Sequence, residues 1–367
     1  MSCDFMALAT PGVQGLHPYE AGKPVEELER ELGIHDIIKL ASNENPLGPS
    51  VHALEAVQKA LAETTRYPDS NGFRLKAALH RHYGLMPEQL TLGNGSNDVL
   101  ELIARAFLQP GDVVIFSEYA FAVYPIVTQA CSARAVITPA RDYGHNLQAM
   151  AEAITERTRL IFIANPNNPT GTALMRDELT AFLAAVPENV IVVLDEAYTE
   201  YVEAGDFPDG LKLLPRFPNL VVTRTFSKAW GLAGLRVGFA AASAVITDLL
   251  NRVRQPFNVS HLALAAAEAV LNDSDYLARS VELNRRGMAQ LEQGLKQLGV
   301  GYIPSFGNFI TADMARPAQP LFQALLHEGV IVRPLGGYRM PQHLRISIGL
   351  TDENDRFLRA LKQVLAC

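Results

Sequence analysis

Leu220-Val221-Val222-Thr223-Arg224 runs without a break into Thr225-Phe226-Ser227-Lys228, and on through Ala229-Trp230-Gly231-Leu232-Ala233-Gly234-Leu235-Arg236-Val237-Gly238. The opening residues are almost continuously apolar. A strand of that kind is covered on both faces, as in a mostly parallel sheet with helices on each side. Two earlier segments repeat the pattern: Leu160–Ala164 leads into Asn165-Pro166-Asn167-Asn168-Pro169-Thr170-Gly171, and Val190–Leu194 leads into Asp195-Glu196-Ala197-Tyr198. A fourth strand, Leu90–Leu92, ends in the glycine-containing turn Gly93–Asn97. A helix follows there, with Val99, Leu102, Ile103, Ala106 and Phe107 on one face, and Pro110-Gly111 stops it. Val113–Phe116 is the next strand. The fold class is α/β.

In open α/β sheets, ligands bind outside the carboxyl ends of the strands. Here those ends carry Asn168, Asp195 with Tyr198, and Lys228, and the Gly95-Ser96-Asn97 turn opens a helix whose first amides suit a phosphate. Each group alone has a plain alternative. Lys228 can be a solvated surface lysine, Asp195 a helix cap, Asn168 a turn residue, Tyr198 core, and the glycine turn only a turn. Their shared position is the informative fact. One cofactor needs this whole set. Pyridoxal 5′-phosphate (PLP) has a phosphate, a pyridine nitrogen, a phenolic oxygen and an aldehyde. The aldehyde requires a lysine whose amine is partly unprotonated, and burial with nearby positive charge, for which Arg236 is placed, lowers a lysine pKa.

Beyond about residue 255 the pattern changes. A long helical stretch, roughly 261–298, precedes short strands around Tyr302–Ile303, Phe309–Ala312, Val330–Arg333 and Leu344–Ile348, which reads as a smaller α+β unit. The segment before Pro46 is rich in Gly and Pro, with little periodicity before Val25–Leu32, and reads as an arm.

The 367 residues are 48% hydrophobic and 19% charged, with a formal net charge of −7. No basic tract points to nucleic acid. Met1–Gly12 lacks the pattern of a signal peptide, and no run of about 18 apolar residues predicts a membrane span. Three separated cysteines, Cys3, Cys131 and Cys367, support neither a disulfide framework nor a metal site, and suggest the reducing cytoplasm. His80 and His82 are two apart in a predicted helix and face different sides, so no metal is expected.

The stretch 225–238 resembles the PLP-lysine signature of class-II aminotransferases, of fold type I. Asn168-Pro169-Thr170-Gly171 and Asp195-Glu196-Ala197-Tyr198 are similar to that group's two other motifs, in the same order. Narrower features resemble the histidinol-phosphate aminotransferase subfamily: Asn43-Glu44-Asn45-Pro46, Arg66-Tyr67-Pro68-Asp69, Gly93-Asn94-Gly95-Ser96-Asn97, Gly307-Asn308-Phe309-Ile310 and Leu344-Arg345-Ile346-Ser347-Ile348-Gly349. The likeness runs from about Pro18 to about Gly349. It implies a seven-stranded sheet in a large PLP-binding domain (46–254), a small domain (29–45 and 255–367) and an N-terminal arm (1–28).

The resemblance also implies roles. Lys228 would bond the cofactor as a Schiff base and shuttle the substrate proton. Asp195 would pair with the pyridine nitrogen, and Asn168 and Tyr198 with the phenolic oxygen. Gly95, Ser96, Asn97, Thr225, Ser227 and Arg236 would hold the phosphate. Phe121 would stack on the ring; many relatives have Tyr there, so a phenol is lost and the stacking face kept. Tyr67 would reach the neighbouring subunit's cofactor, which implies a homodimer with shared active sites. Tyr19, Asn45, Arg333 and Arg345 would bind substrate, the arginines as an anion site.

The implied reaction exchanges L-histidinol phosphate and 2-oxoglutarate for imidazole acetol phosphate and L-glutamate, in histidine biosynthesis. An aromatic-amino-acid aminotransferase and a threonine-phosphate decarboxylase remain open alternatives. A PLP-fold DNA-binding regulator is disfavoured by the short N-terminal segment. A dinucleotide oxidoreductase is disfavoured because Asp98 stands where the third glycine of the fingerprint belongs.

Overall fold

The computed structural model describes residues 3–19 and 22–366; Met1 and Cys367, quoted above, lie outside them. The larger sheet has seven strands: β1 (Leu90–Gly93), β2 (Val113–Ser117), β3 (Arg134–Thr138), β4 (Thr158–Ala164), β5 (Ile191–Asp195), β6 (Leu220–Thr225) and β7 (Gly238–Ala241). Their spatial order is β1-β7-β6-β5-β4-β2-β3. Five run parallel as neighbours, and β7 is antiparallel to both β6 and β1. The buried runs Leu160–Ala164 and Leu220–Thr225 lie in the centre, and apolar clusters cover both sheet faces. β3, at the edge, is mostly exposed with only Thr138 buried, and β7 is a short buried run, Gly-Phe-Ala-Ala. Neither stands out in the sequence.

The register sets up the site. Gly93 lies beside Gly238, Gly238 beside Thr225, and Thr223 beside Asp195. The carboxyl ends of β1, β4, β5 and β6 therefore open at one sheet edge, and β7 begins there.

A second body is built on a four-stranded antiparallel sheet of β8 (Gly301–Ile303), β9 (Phe309–Asp313), β10 (Arg333–Pro334) and β11 (His343–Ser347), in the order β10-β11-β9-β8. It has its own buried cluster, with Leu291, Ile310, Leu325, Ile346 and Phe357 at its centre. Ile38–Lys39 pairs in parallel with Val330–Ile331, which draws the N-terminal segment into this body.

Three expectations are corrected. The stretch 261–298 is two helices, His261–Val270 and Ser274–Gln297, because the Asp273 side chain caps the second one at the Tyr276 amide. The first carries Ala263, Ala266 and Ala267 on its inner face, packs on Val51–Ala60, and shares the large sheet's apolar cluster, so a small unit beginning at residue 255 starts too early. Likewise the helix Val25–Leu32 buries Leu28 in the second cluster, so an arm reaching residue 28 would cut an element of that body.

Candidate active site

A cavity of about 190 Å³ opens at the strand ends, between the two bodies. Its walls include Ser96, Asn97, Phe121, Asn168, Asp195, Tyr198, Thr225, Ser227, Lys228 and Arg236 from the large sheet's side, and Arg333 and Arg345 from the small sheet. Tyr19 stands at the mouth, 53% exposed, with the Arg333 guanidinium 5.7 Å from its ring centre.

Asp195 is buried at the floor. The Tyr124 hydroxyl donates to its Oδ2 at 2.9 Å and the Thr223 hydroxyl to its Oδ1 at 2.9 Å. No ion pair among the described residues includes it. Burial pushes its pKa up, and the two hydroxyl bonds oppose the shift. A carboxylate kept there with only neutral partners suits a cationic ligand group.

Lys228 Nζ donates to the Ser42 carbonyl at 3.0 Å. Loss of water around the amine, then the charges of Arg345 and Arg236, bring its pKa down to about 7, with Glu44 pulling the other way. A neutral, nucleophilic amine is therefore available near pH 7.

Tyr198 and Asn168 form one network. The Tyr198 oxygen accepts from Asn43 Nδ2 at 3.0 Å and from Asn168 Nδ2 at 3.1 Å. Its own proton is left to donate. Arg345 Nη1 donates to Asn168 Oδ1 at 2.6 Å, which fixes the amide's orientation, and Arg345 Nη2 donates to the Ala41 carbonyl at 2.8 Å. The buried Arg345 Nε has no hydrogen-bond partner.

The opposite end is a cradle for an anion. The helix Ser96–Phe107 begins here without a side-chain cap on its first amides. Arg236 Nη1 donates to Ser227 Oγ at 3.2 Å, and the Ser227 amide donates to Thr225 Oγ1 at 3.1 Å. Two glycines create the room: a Cβ on Gly95 would lie 2.4 Å from Arg236 Nη2, and one on Gly238 would lie 2.6 Å from the Ser96 amide nitrogen. Gly95 also has φ 84° and ψ 167°, a region only glycine adopts readily. Gly95→Ala is expected to lower stability by about 1–3 kcal/mol, measured as a shift in the urea midpoint, and to weaken phosphate binding by the apoprotein.

At the mouth, Arg333 and Arg345 are direct cross-strand partners in the β10–β11 pair. Like charges placed opposite each other destabilise an antiparallel pair. An anion between them removes that cost and gains charge-assisted hydrogen bonds.

One residue expected in the site, Asn45, stands outside it, and Tyr67, expected at a neighbouring subunit's cofactor, is remote from this cavity. Asn45 turns away: its Nδ2 donates to the Ala229 carbonyl and to the hydroxyls of Tyr276 and Ser280. Asn43 of the same motif faces the cavity instead. Tyr67 is 81% exposed, stacks on Phe257 at 4.7 Å, and lines a separate surface cavity. The sequence reading missed Ser42, Asn43, Tyr124, Thr223 and Tyr338. Thr223 precedes Thr225 by two on one strand, so strand periodicity put it within reach of inference, whereas Tyr124 lies on the helix Val123–Ala130, three residues after Phe121. Nothing local marks Ser42 or Tyr338.

The sequence profile of the family "Aminotransferase class I and II" matches residues 35–361. The chain belongs to the class I and II aminotransferases. Within that family it is 62% identical to "Histidinol-phosphate aminotransferase 2" of Pseudomonas fluorescens over 100% of both chains, and 62% identical to the protein of that name from Pseudomonas aeruginosa over 99% of each. Its structure is similar to that of the histidinol-phosphate aminotransferase of Sinorhizobium meliloti, solved in complex with pyridoxal-5′-phosphate: TM-score 0.91, 30% identity, 97% of each chain covered. The aspartate aminotransferase of Thermus thermophilus with maleate, at 23% identity and TM-score 0.84, shares the fold with this aminotransferase. No helix among the described residues is long and apolar enough to cross a membrane.

Proposed function

We propose that this chain is a PLP-dependent histidinol-phosphate aminotransferase, acting in histidine biosynthesis on L-histidinol phosphate and 2-oxoglutarate to give imidazole acetol phosphate and L-glutamate. The observation that carries the reading is the facing pair Arg333 and Arg345 in a cavity that also holds the lowered-pKa Lys228. The high identity to named histidinol-phosphate aminotransferases over the whole chain supports it.

The residues fit the cofactor at each polar group. The cradle of Gly95, Ser96, Asn97, Thr225, Ser227 and Arg236 takes the phosphate, with Gly95 and Gly238 lacking the Cβ atoms that would fill it. Asp195 takes the pyridine nitrogen and supplies its compensating negative charge. Tyr198, with a proton left to donate, and Asn168 face the phenolic oxygen. Phe121 offers its face to the ring. When bound, PLP supplies an aldehyde that condenses with amines and a ring that draws electron density from the substrate Cα. Lys228 then performs the two tasks its amine allows: it holds the cofactor at rest, and it takes the Cα proton and returns it elsewhere. Arg333 and Arg345 hold the phosphate of histidinol phosphate in one half-reaction and the α-carboxylate of glutamate in the other. Tyr19 at the mouth limits water access. Fixing the anion sets the distance between the substrate's reacting carbon and Nζ, which is an orientation gain.

Tyr67 supports a homodimer. It is a large exposed aromatic beside Arg66 and Arg74, in a broad groove remote from its own cavity. In the proposed assembly it completes the phosphate site of the partner. The small, scattered cysteine content supports a cytoplasmic setting.

The test uses purified holoenzyme with histidinol phosphate and no keto acid. One imidazole acetol phosphate per active site is expected, followed by continued turnover once 2-oxoglutarate is added. Reaction with phenylalanine alone would support an aromatic-amino-acid aminotransferase instead, and CO₂ release from phosphothreonine a decarboxylase.

A further inference from the structure

Tyr338 lines the cavity, and neither the sequence reading nor the roles above use it. It sits on the turn Gly336–Tyr338, between β10 and β11. One hairpin thus delivers Arg333, Tyr338 and Arg345 to the same space. The Tyr338 ring is 9% exposed and clusters with Ile303, Leu335 and Met340, with Tyr119 and Ala122 against them. The turn is closed by the Tyr338 amide donating to the Leu335 carbonyl at 2.9 Å. The ring is therefore fixed, and only its tip has work left to do.

The cavity brings Tyr338 together with Tyr19, Arg333 and Arg345, and Ala122 of the large body packs against the cluster that holds its ring. A phenol hydroxyl carries one proton that it can donate to an anion. Two guanidinium forks satisfy the two oxygens of a carboxylate. A phosphate monoester presents three oxygens and nearly two charges at neutral pH, so one oxygen is left for another donor.

We propose that Tyr338 completes the substrate-anion site with Arg333 and Arg345, and that its hydroxyl biases the site toward a phosphate monoester over a carboxylate. This rests on the function proposed above and specifies how one anion site serves two unlike anions. Phosphate-bearing amino donors engage all three groups, and carboxylate-bearing ones only the arginines.

The test compares holoenzyme with its Tyr338→Phe variant, which keeps the ring and its packing. Propyl phosphate and succinate are titrated separately as competitive inhibitors of glutamate consumption. Propyl phosphate should bind roughly tenfold more weakly to the variant, the effect of one charge-assisted hydrogen bond, and succinate less than threefold more weakly. Equal losses for the two anions, or no loss for propyl phosphate, would overturn the assignment. Neither probe carries an amine, so the outcome is independent of whether histidinol phosphate is the natural donor. If glutamate is not consumed by the wild-type enzyme at all, it is the proposed function that fails. As a positive control, Arg333→Gln should weaken both anions; if it weakens neither, the site lies elsewhere and the assignment of Tyr338 falls with it.

Discussion

Lys228→Ala is expected to cut amino transfer on the order of 10⁴-fold, at the upper end of what a positioned base contributes. The residue has two jobs, so its loss removes both. The variant should also retain no cofactor through borohydride reduction and denaturation, whereas the wild type should. Turnover near the wild-type rate would exclude Lys228 from the chemistry. The pKa near 7 adds a second arm. An ordinary lysine, at 10.5, has only about one amine in three thousand unprotonated at pH 7. Burial beside Arg345 and Arg236 raises that fraction by roughly three orders of magnitude. The rate at which apoprotein captures PLP should therefore rise with pH through about 7 and level off above it. A rate still climbing steeply above pH 9 would mean that the amine is solvated. The sign for stability is the same: the folded protein disfavours the ammonium form, so this group's destabilisation is largest below pH 7 and is relieved between about 7 and 10.5 as the unfolded chain comes to bind more protons than the folded one.

Asp195→Asn should lower turnover on the order of 10³-fold, the scale of removing a preorganised electrostatic partner, and yet leave the apoprotein as stable or more so. The carboxylate is buried between two hydroxyls with no cation. Its raised pKa means that the folded state prefers the protonated form. The wild-type apoprotein thus loses stability as pH rises from the unfolded value of 3.8 through the raised folded value. An amide there has no charge to desolvate, and one of the two hydroxyls can turn to accept from it. Urea unfolding of both apoproteins at pH 4 and pH 7 tests this: the difference should favour the variant at pH 7 and shrink toward pH 4. A variant less stable at both pH values, with turnover intact, would show that Asp195 is structural. The expected combination, lost activity with retained or gained stability, is the mark of a group kept for function at the expense of the fold.

The legibility of the site follows from how each residue is carried. Asn168, Asp195 and Lys228 follow buried strands, where a polar residue after an apolar run is conspicuous. Gly95 and Gly238 are legible only as glycines; that one makes room for Arg236 and the other for the Ser96 amide depends on strand register. Asn43 and Asn45 share one motif, and no local signal separates the one that faces the cavity from the one that braces Ala229 and Ser280. The two bodies were foreseeable from the change in pattern near residue 255, but not their borders. The helix His261–Val270 joins the large sheet's cluster through its alanine face, and the helix Val25–Leu32 joins the small body through Leu28. Both choices belong to packing partners far away in the chain.

Sequence by itself determined the sheet class, the cofactor's lysine and carboxylate as candidates, and the family resemblance, because these are written in apolar runs and in residues adjacent to them. Tertiary structure decided the electrostatics and the anion site. Lys228 loses water only when Ser42, from a segment more than 180 residues earlier, closes over it. Arg333 and Arg345 become opposed charges only through pairing of β10 with β11. Tyr338 joins their cavity only because the turn between those strands packs against Ala122. Desolvation and like-charge proximity are properties of atoms brought together, and no neighbour in the chain records them.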